Sequence, residues 1–527
     1  MIRIALSLLA AATLATSSLA ATKAPNVIVI LADDLGWADV GFHGSPIATP
    51  SIDRIAEEGI QLDRYYTAPM CTPTRAMLLT GRDPIRYGLA YEQVNPWDAA
   101  GVPSGVHFMP ESFKAAGYQT AMVGKWHLGH TAETFHPNQR GFDHYSGHLN
   151  TAIDYWTHTR RKGLDWQRNG ESIREDGYVT DLQGAEAARL IRERDASKPL
   201  FLYVAFNAPH NPMQAPEALI EKYAGLDDEK PEPGYLKAIS PLPRGARPHF
   251  ANYRQIYAAM VESMDLAIGQ ILSALDEEGI ADNTVVLFTS DNGGFNIFGA
   301  DNTPLRGQKA QSFEGGVRVT AAMRWPGQLA AGATSQQMIT AMDVFPTLAE
   351  ATGIEAQNPE PFDGSSLWSE LRSGTTTART KDLFLVSEVP IPGQTFYAAY
   401  SGAWKLIEVD RPGPLPTLRH LFKIEEDPNE ERDLAADHPE IVKELANKLA
   451  AWRSTEPPNG LRRHPGPHVG WLPPRDWAEA MSRSEDLAET TISDFVADAQ
   501  AAQGTSPNLL LYLTPEERAA YKKHPQP

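Results

Sequence analysis

The chain has 527 residues, 42% of them hydrophobic and 21% charged, enough to bury one large core with a smaller unit beside it. Its formal net charge of −19 speaks against nucleic acid, or an anionic membrane surface, as the main partner. A single cysteine, Cys71, rules out an intrachain disulfide framework.

The chain opens with Arg3, an apolar run over residues 4–12, and the small residues Ser18-Leu19-Ala20. That pattern predicts a secretory signal peptide over residues 1–20, falling short of the ~20 apolar residues of a membrane anchor. No later stretch reads as long and apolar enough to span a bilayer. Export to the periplasm or the medium is therefore expected. The lack of disulfides and of Asn-x-Ser/Thr sites fits a bacterial source. An unpaired cysteine in an oxidising compartment calls for a chemical reason.

Residues 26–31, Asn-Val-Ile-Val-Ile-Leu, predict a strand buried on both faces, with Asp33-Asp34 directly behind it. Thr49-Pro50 predicts the cap of a short helix that Gly59 closes. Residues 198–205 predict a second buried strand, ending near His210, and residues 284–289 a third, ending at Asp291-Asn292. Between those two, residues 253–275 predict a long helix with Ile256, Met260, Met264, Ile268 and Ile271 on its apolar face. Strands alternating with helices predict a mostly parallel α/β sheet, whose ligands bind beyond the carboxyl ends of the strands. The polar clusters fall at such ends. Further on, short strands at 383–388, 397–400 and 404–408 and a helix at 439–453 predict a smaller α+β subdomain. The expected boundaries are 21–375 for the main domain, 376–455 for the subdomain and 456–527 for an extension of unknown role, read as an arm lying on the body.

Cys71-Thr-Pro-Thr-Arg75 is followed by Leu79-Thr-Gly-Arg82. Pro73 suits a first helical turn, which would set Cys71 at the positive end of a helix. Such a cysteine can be a structural thiol or an activated nucleophile, and no nearby histidine reads as its base. Asp33, Asp34, Asp291 and Asn292 are hard oxygen donors suited to calcium or magnesium; two such pairs at equivalent strand ends favour a metal over simple turn-making. Trp37, Trp126 and Trp156 could line a pocket or fill the core.

Cys71-x-Pro-x-Arg75 with Leu-Thr-Gly-Arg82 resembles the sequence read by formylglycine-generating systems in the sulfatase family. Gly117-Tyr-x-Thr120 and Gly124-Lys-Trp-His127 resemble that family's second signature. The likeness runs over about residues 25–435, and Thr80 to Leu89, Arg140 to Asp143 and Asp154 to His158 resemble its arylsulfatase B branch. Thr320 stands where many relatives have proline, and the tail after Arg453 is unfamiliar. The resemblance implies an alkaline-phosphatase-like sandwich with one calcium ion on Asp33, Asp34, Asp291, Asn292 and residue 71. It implies conversion of Cys71 to formylglycine by a generating enzyme, and catalytic roles for Cys71, Arg75, Lys125, His127, His210 and Lys309. In that scheme Asp291 assists attack of the formylglycine hydrate, His210 and Lys309 serve the leaving alcohol, and His127 deprotonates the second hydroxyl. Tyr257, Glu262, Asp265 and Gly141-Phe-Asp143 are expected to pack or support. The expected substrate is a small-molecule or saccharide sulfate ester. The alternatives are a phosphatase or phosphonate hydrolase of the same superfamily, and a non-catalytic sulfosugar-binding protein.

Overall fold

The computed structural model describes residues 23–226, 253–388, 393–462, 467 and 471–482. The expected signal peptide and residues 483–527 lie outside the described residues. The strand Asn26–Ala32 (β1) is buried at every position and lies near the middle of a ten-stranded sheet. With β2 (Ile60–Leu62), β3 (Gln119–Lys125), β4 (His144–His148), β5 (Gln167–Arg168), β6 (Glu171–Ser172), β7 (Leu200–Ala205), β8 (Thr284–Ser290), β9 (Ala321–Arg324) and β10 (Ala333–Ser335), the order is β10-β2-β9-β8-β1-β7-β3-β4-β5-β6. The five strands β8-β1-β7-β3-β4 run parallel. The centre of the sheet is parallel as expected, and strands β9, β5 and β6 join their neighbours antiparallel on its flanks. These antiparallel members are short, two to four residues each.

Alternation along β1 fixes the two core layers. Val27, Val29 and Leu31 face one apolar cluster with Phe201, Tyr203 and Leu287; Ile28 and Ile30 face another with Leu202, Val204 and Val286. Each such side chain contributes about 1.5–3 kcal/mol by leaving water. The second layer is covered by helices Val179–Arg192 and Tyr253–Glu277, which pack together, and the first by Cys71–Thr80 and Val344–Thr352. Helix Tyr253–Glu277 is long and apolar enough to cross a membrane, contrary to the sequence expectation, yet most of it is buried in the fold. It is a core helix.

The helix Pro50–Glu57 starts where Thr49-Pro50 predicts. Its cap comes from elsewhere: Asp265, on the long helix, accepts from the N–H groups of Ser51 (2.9 Å) and Ile52 (2.8 Å). The Thr49 hydroxyl instead accepts from the Gly41 N–H. Four antiparallel strands, Leu383–Glu388, Thr395–Ser401, Trp404–Asp410 and Leu418–Lys423, form a second sheet, and Leu445 and Leu449 of helix Pro439–Arg453 pack into it. The fourth strand was not foreseen; Leu418 and Arg419 are exposed, and the segment has no β-branched residue. The tail returns to the main body. The Leu461 N–H bonds the Gly88 carbonyl (2.7 Å), and the Leu164 N–H bonds that of Arg475 (2.9 Å).

Candidate active site

Register aligns the carboxyl ends of the central strands: Ala32 pairs with Ser290, Ala205 with Gly124, and Lys125 with His148. Asp33-Asp34, Asp291-Asn292 and Lys125 therefore emerge side by side, and the loop after β7 carries His210 to the same rim. Gly124, at φ +106°, leaves no room for a side chain, since a Cβ there would lie 2.0 Å from the Ala205 carbonyl oxygen. Helix Cys71–Thr80 points its N-terminus at this rim, and Cys71 is its first residue and wholly buried.

The Cys71 thiol lies 3.3 Å from Asp33 Oδ1 and 3.3 Å from Lys309 Nζ. Lys309 donates to both Asp34 oxygens (2.6 and 2.8 Å), and Lys125 to Asp33 Oδ2 (2.6 Å). Arg75 donates through Nη2 (2.8 Å) and Nε (3.1 Å) to Asp291 Oδ2. His210 Nε2 stands 3.6 Å from Asp34 Oδ2. The cluster thus gathers eight of the candidate side chains, among them three acids and three bases that cancel in charge. Only Asp34, His210 and Lys309 of these charged and titratable groups retain more than a trace of exposure, which marks the open side.

Burial, then the charge of Asp291, pushes the Asp33 carboxyl up to about 7. Burial would raise Asp291 too, but Arg75 and Lys125 hold it below the ordinary carboxylate value. Burial followed by Asp291 drives the Cys71 thiol well up, so the unmodified residue is a poor thiolate. A histidine, His210, does come within 4.8 Å of the thiol, which the sequence did not foretell. Both imidazoles are held neutral, His127 by burial with Lys125 and Arg75, and His210 by burial with Lys309 and Lys125.

The donor set suits a hard divalent cation. Asp33, Asp34, Cys71 and His210 bring possible ligand atoms within 4.8 Å of one another. Asp291 stands outside that tight group, with Oδ2 on Arg75 and Oδ1 accepting the Asp34 N–H at 3.2 Å. Asn292 donates through Nδ2 to Asp34 (2.7 Å), while its buried Oδ1 has no partner. Three buried carboxylates and an orphaned amide oxygen fit an ion of the calcium type, which favours oxygen over imidazole.

Tyr257 supports the site as expected, and other supports escaped the sequence. The Thr72 hydroxyl donates to the His127 carbonyl (3.0 Å) and accepts from the Val94 N–H. The Tyr155 hydroxyl lies 2.8 Å from the His210 carbonyl oxygen, and the Tyr257 hydroxyl accepts from the Gly36 N–H beside the acidic turn. His148, wholly buried opposite Lys125, has neither ring nitrogen bonded. Its place at the end of β4 was its one sequence signal. Trp126 is core, Trp37 is buried, and Trp156 is 48% exposed.

A family model described as Sulfatase matches residues 25–354, and one described as N-sulphoglucosamine sulphohydrolase, C-terminal, matches residues 308–455. Arylsulfatase J of Mus musculus is 31% identical over 507 residues, covering 86% of this chain and 81% of the relative. N-acetylgalactosamine-6-sulfatase of Rattus norvegicus is 34% identical over 380 residues, 67% of each chain. The crystal structure of Ps i-CgsB in complex with k-i-k-neocarrahexaose superimposes with a TM-score of 0.72 at 29% identity, over 82% of this chain and 94% of that one.

Proposed function

Since the chain belongs to the sulfatase family and is a sulfuric ester hydrolase, we propose that it cleaves a saccharide or aryl sulfate ester with a formylglycine at position 71 and one calcium ion. The observation that carries this reading is the Cys71 side chain at a buried helix N-terminus, between Asp33 and Lys309. Asp33, Asp34, Asp291 and Asn292 would hold the ion, which supplies positive charge for the sulfate oxygens. Formylglycine, as its hydrate, supplies a hydroxyl nucleophile and a second hydroxyl through which the aldehyde is restored.

The chain's own groups divide the remaining work. Arg75 and Lys125 pin Asp291 and Asp33, so the acids cannot swing away from the reacting centre. His127 lies 3.1 Å from the Val94 carbonyl through Nε2, which therefore carries its proton. Its buried Nδ1 has no partner and is free to act as base. His210 shows the opposite tautomer, with Nδ1 donating to the Asn211 carbonyl (2.6 Å). Nε2 then has no proton to give, and Lys309, at the open side, is the cation that stabilises the departing alcohol oxygen. Because Cys71 is wholly buried, a formylglycine-generating enzyme must reach it before the fold closes. Residues 1–20 support export, so the enzyme would act in the periplasm or the medium.

The test is mass spectrometry of the tryptic peptide spanning residues 65–75, combined with turnover of phenyl sulfate and phenyl phosphate. An aldehyde at position 71, sulfate release that a calcium chelator abolishes and calcium restores, and no turnover by Cys71→Ser are expected. Full activity with an unmodified thiol would overturn the mechanism. Faster phosphate than sulfate release would favour the phosphohydrolase reading.

A further inference from the structure

Beside this cluster lies a basic hairpin that the reaction leaves unused. Thr159–Arg160 pairs with Gly163–Leu164, and the turn between them is Arg161-Lys162. Both turn residues have left-handed backbones, φ +52° and +73°. A two-residue turn of that kind is normally Asn-Gly, so two long basic side chains are held here against local preference. In a chain of net charge −19, three consecutive cations at one hairpin tip form a local reversal of sign.

Arg160 has unusual surroundings. Its Nη2 donates to the Thr151 hydroxyl, its buried Nε has no partner, and it forms no ion pair with a carboxylate among the described residues. Asp165, the acid whose charge acts on Arg160, is occupied by the Leu149 and Asn150 N–H groups and the Asn150 amide. A guanidinium offers five donors, and most of those here are unspent.

The hairpin is pinned to the reaction site from two sides. Thr151 follows Leu149, whose carbonyl accepts the His127 N–H (3.0 Å). The Asp154 N–H bonds the Thr159 carbonyl (2.9 Å), and the next residue, Tyr155, reaches the His210 carbonyl through its hydroxyl. A third anchor comes from the tail: Trp477 Nε1 donates to the Arg160 carbonyl (3.1 Å), and the same ring meets His130 edge-on at 5.3 Å. Arg161 lies over the ring of Trp97 (5.3 Å), which in turn meets Trp471 of the tail.

We propose that Arg160 is an anion subsite beside the sulfate-ester cluster, receiving a second anionic group, sulfate or carboxylate, carried by a saccharide substrate. The tail's Trp477 holds the hairpin in place for this purpose. A planar guanidinium with unspent donors suits a sulfate or carboxylate in fork geometry. This inference rests on the sulfate-ester reading above, and it names the substrate class: an oligosaccharide bearing at least two negative groups.

The experiment compares the holoenzyme, with aldehyde verified, on a matched set: a monosulfated hexosamine, the same sugar disulfated, and the monosulfate linked to a uronic acid. Phenyl sulfate serves as the common reference. Wild type is expected to prefer the disulfate or the uronate over the monosulfate by about tenfold or more in kcat/KM. Whichever of the two is preferred identifies the second group. Arg160→Gln should erase that preference chiefly through KM, and Arg160→Lys should keep part of it. Tail variant Trp477→Ala should lower the preference while the pH profile on phenyl sulfate keeps its shape. No preference in wild type, or an undiminished one in Arg160→Gln, overturns the subsite. If Arg160→Gln fails to fold, the wild-type comparison with Arg160→Lys still decides. Failure to hydrolyse phenyl sulfate with the aldehyde in place would instead sink the sulfate-ester reading itself.

Discussion

Lys405 offers a sharp test of how the small sheet supports the reaction site. Its ammonium is wholly buried, 2.9 Å from Glu314 Oε1 and 2.7 Å from Glu430 Oε1. Glu430 Oε2 accepts the Glu314 N–H (2.7 Å), and the Glu430 carbonyl accepts from Arg306 (3.1 Å). These contacts fasten the segment that carries Lys309. Lys405→Met leaves Glu314 with the Tyr66 (2.9 Å) and Tyr400 (2.7 Å) hydroxyls, but strips Glu430 of its cation. Removing one partner of a buried pair costs about 3–5 kcal/mol. Burial already pushes the Glu430 carboxyl up to about 7 against the pull of Lys405. A carboxyl raised above its unfolded value adds stability at low pH and loses it as pH rises through the folded value. The part of the Lys405→Met penalty that comes from Glu430 should therefore be absent at pH 5 and full at pH 8, while Glu314, which Lys405 holds below the ordinary carboxylate value, loses its cation at both, so the total penalty should be larger at pH 8 than at pH 5. The assay is urea unfolding at both pH values for wild type, Lys405→Met and Lys405→Met/Glu430→Gln, with sulfate-ester turnover in parallel. The double variant should recover at least half the loss. A penalty below about 1 kcal/mol at pH 8 would refute the reasoning, as would equal penalties at the two pH values.

Asp83 joins helix Pro439–Arg453 to the main domain by accepting from Trp452 Nε1 (2.6 Å), and burial pushes its carboxyl up to about 7. The charge thus costs stability as pH rises toward 7, so Asp83→Asn should melt progressively higher relative to wild type between pH 4 and pH 8; scanning calorimetry across that range checks it. Gly124→Ala should cost about 3 kcal/mol through its left-handed backbone and the clash with the Ala205 carbonyl. Gly105→Ala, where a Cβ meets nothing within 4 Å, should leave the urea midpoint unchanged.

The strand ends were legible because a parallel sheet collects its loops at one rim, and two of the buried runs in the sequence stopped at a polar pair. Asp33-Asp34 and Asp291-Asn292 could be placed together from that rule alone. Lys405 reads in sequence as an ordinary solvated lysine; its burial depends on Glu314 and Glu430, 91 residues before it and 25 after. Asp265 was expected to pack or support, but its capping of a helix over 200 residues away emerges only from the fold. Arg160 was passed over because no local pattern tells a guanidinium with a carboxylate partner from one without. Such roles arise only when distant segments meet.

The charge balance raises a question about how an anionic substrate reaches an acidic protein. Asp33, Asp34 and Asp291 offset Arg75, Lys125 and Lys309, so the cluster sums to zero before any ion is bound. A divalent cation would make it +2, but this charge is buried among counter-charges. The surface field is instead set by the net −19. At low salt that field repels a polyanion over about 30 Å, whereas near 0.15 M the reach shrinks to about 8 Å. Attraction by the cluster and by Arg160 acts at contact distance and survives screening. Raising ionic strength from low to physiological should therefore leave kcat/KM for a doubly charged sulfated saccharide level or increase it. Phenyl sulfate, with one charge, should respond less. A steep fall with salt for the doubly charged substrate would mean that a long-range positive funnel guides it, and the short-range account of recognition would have to be abandoned.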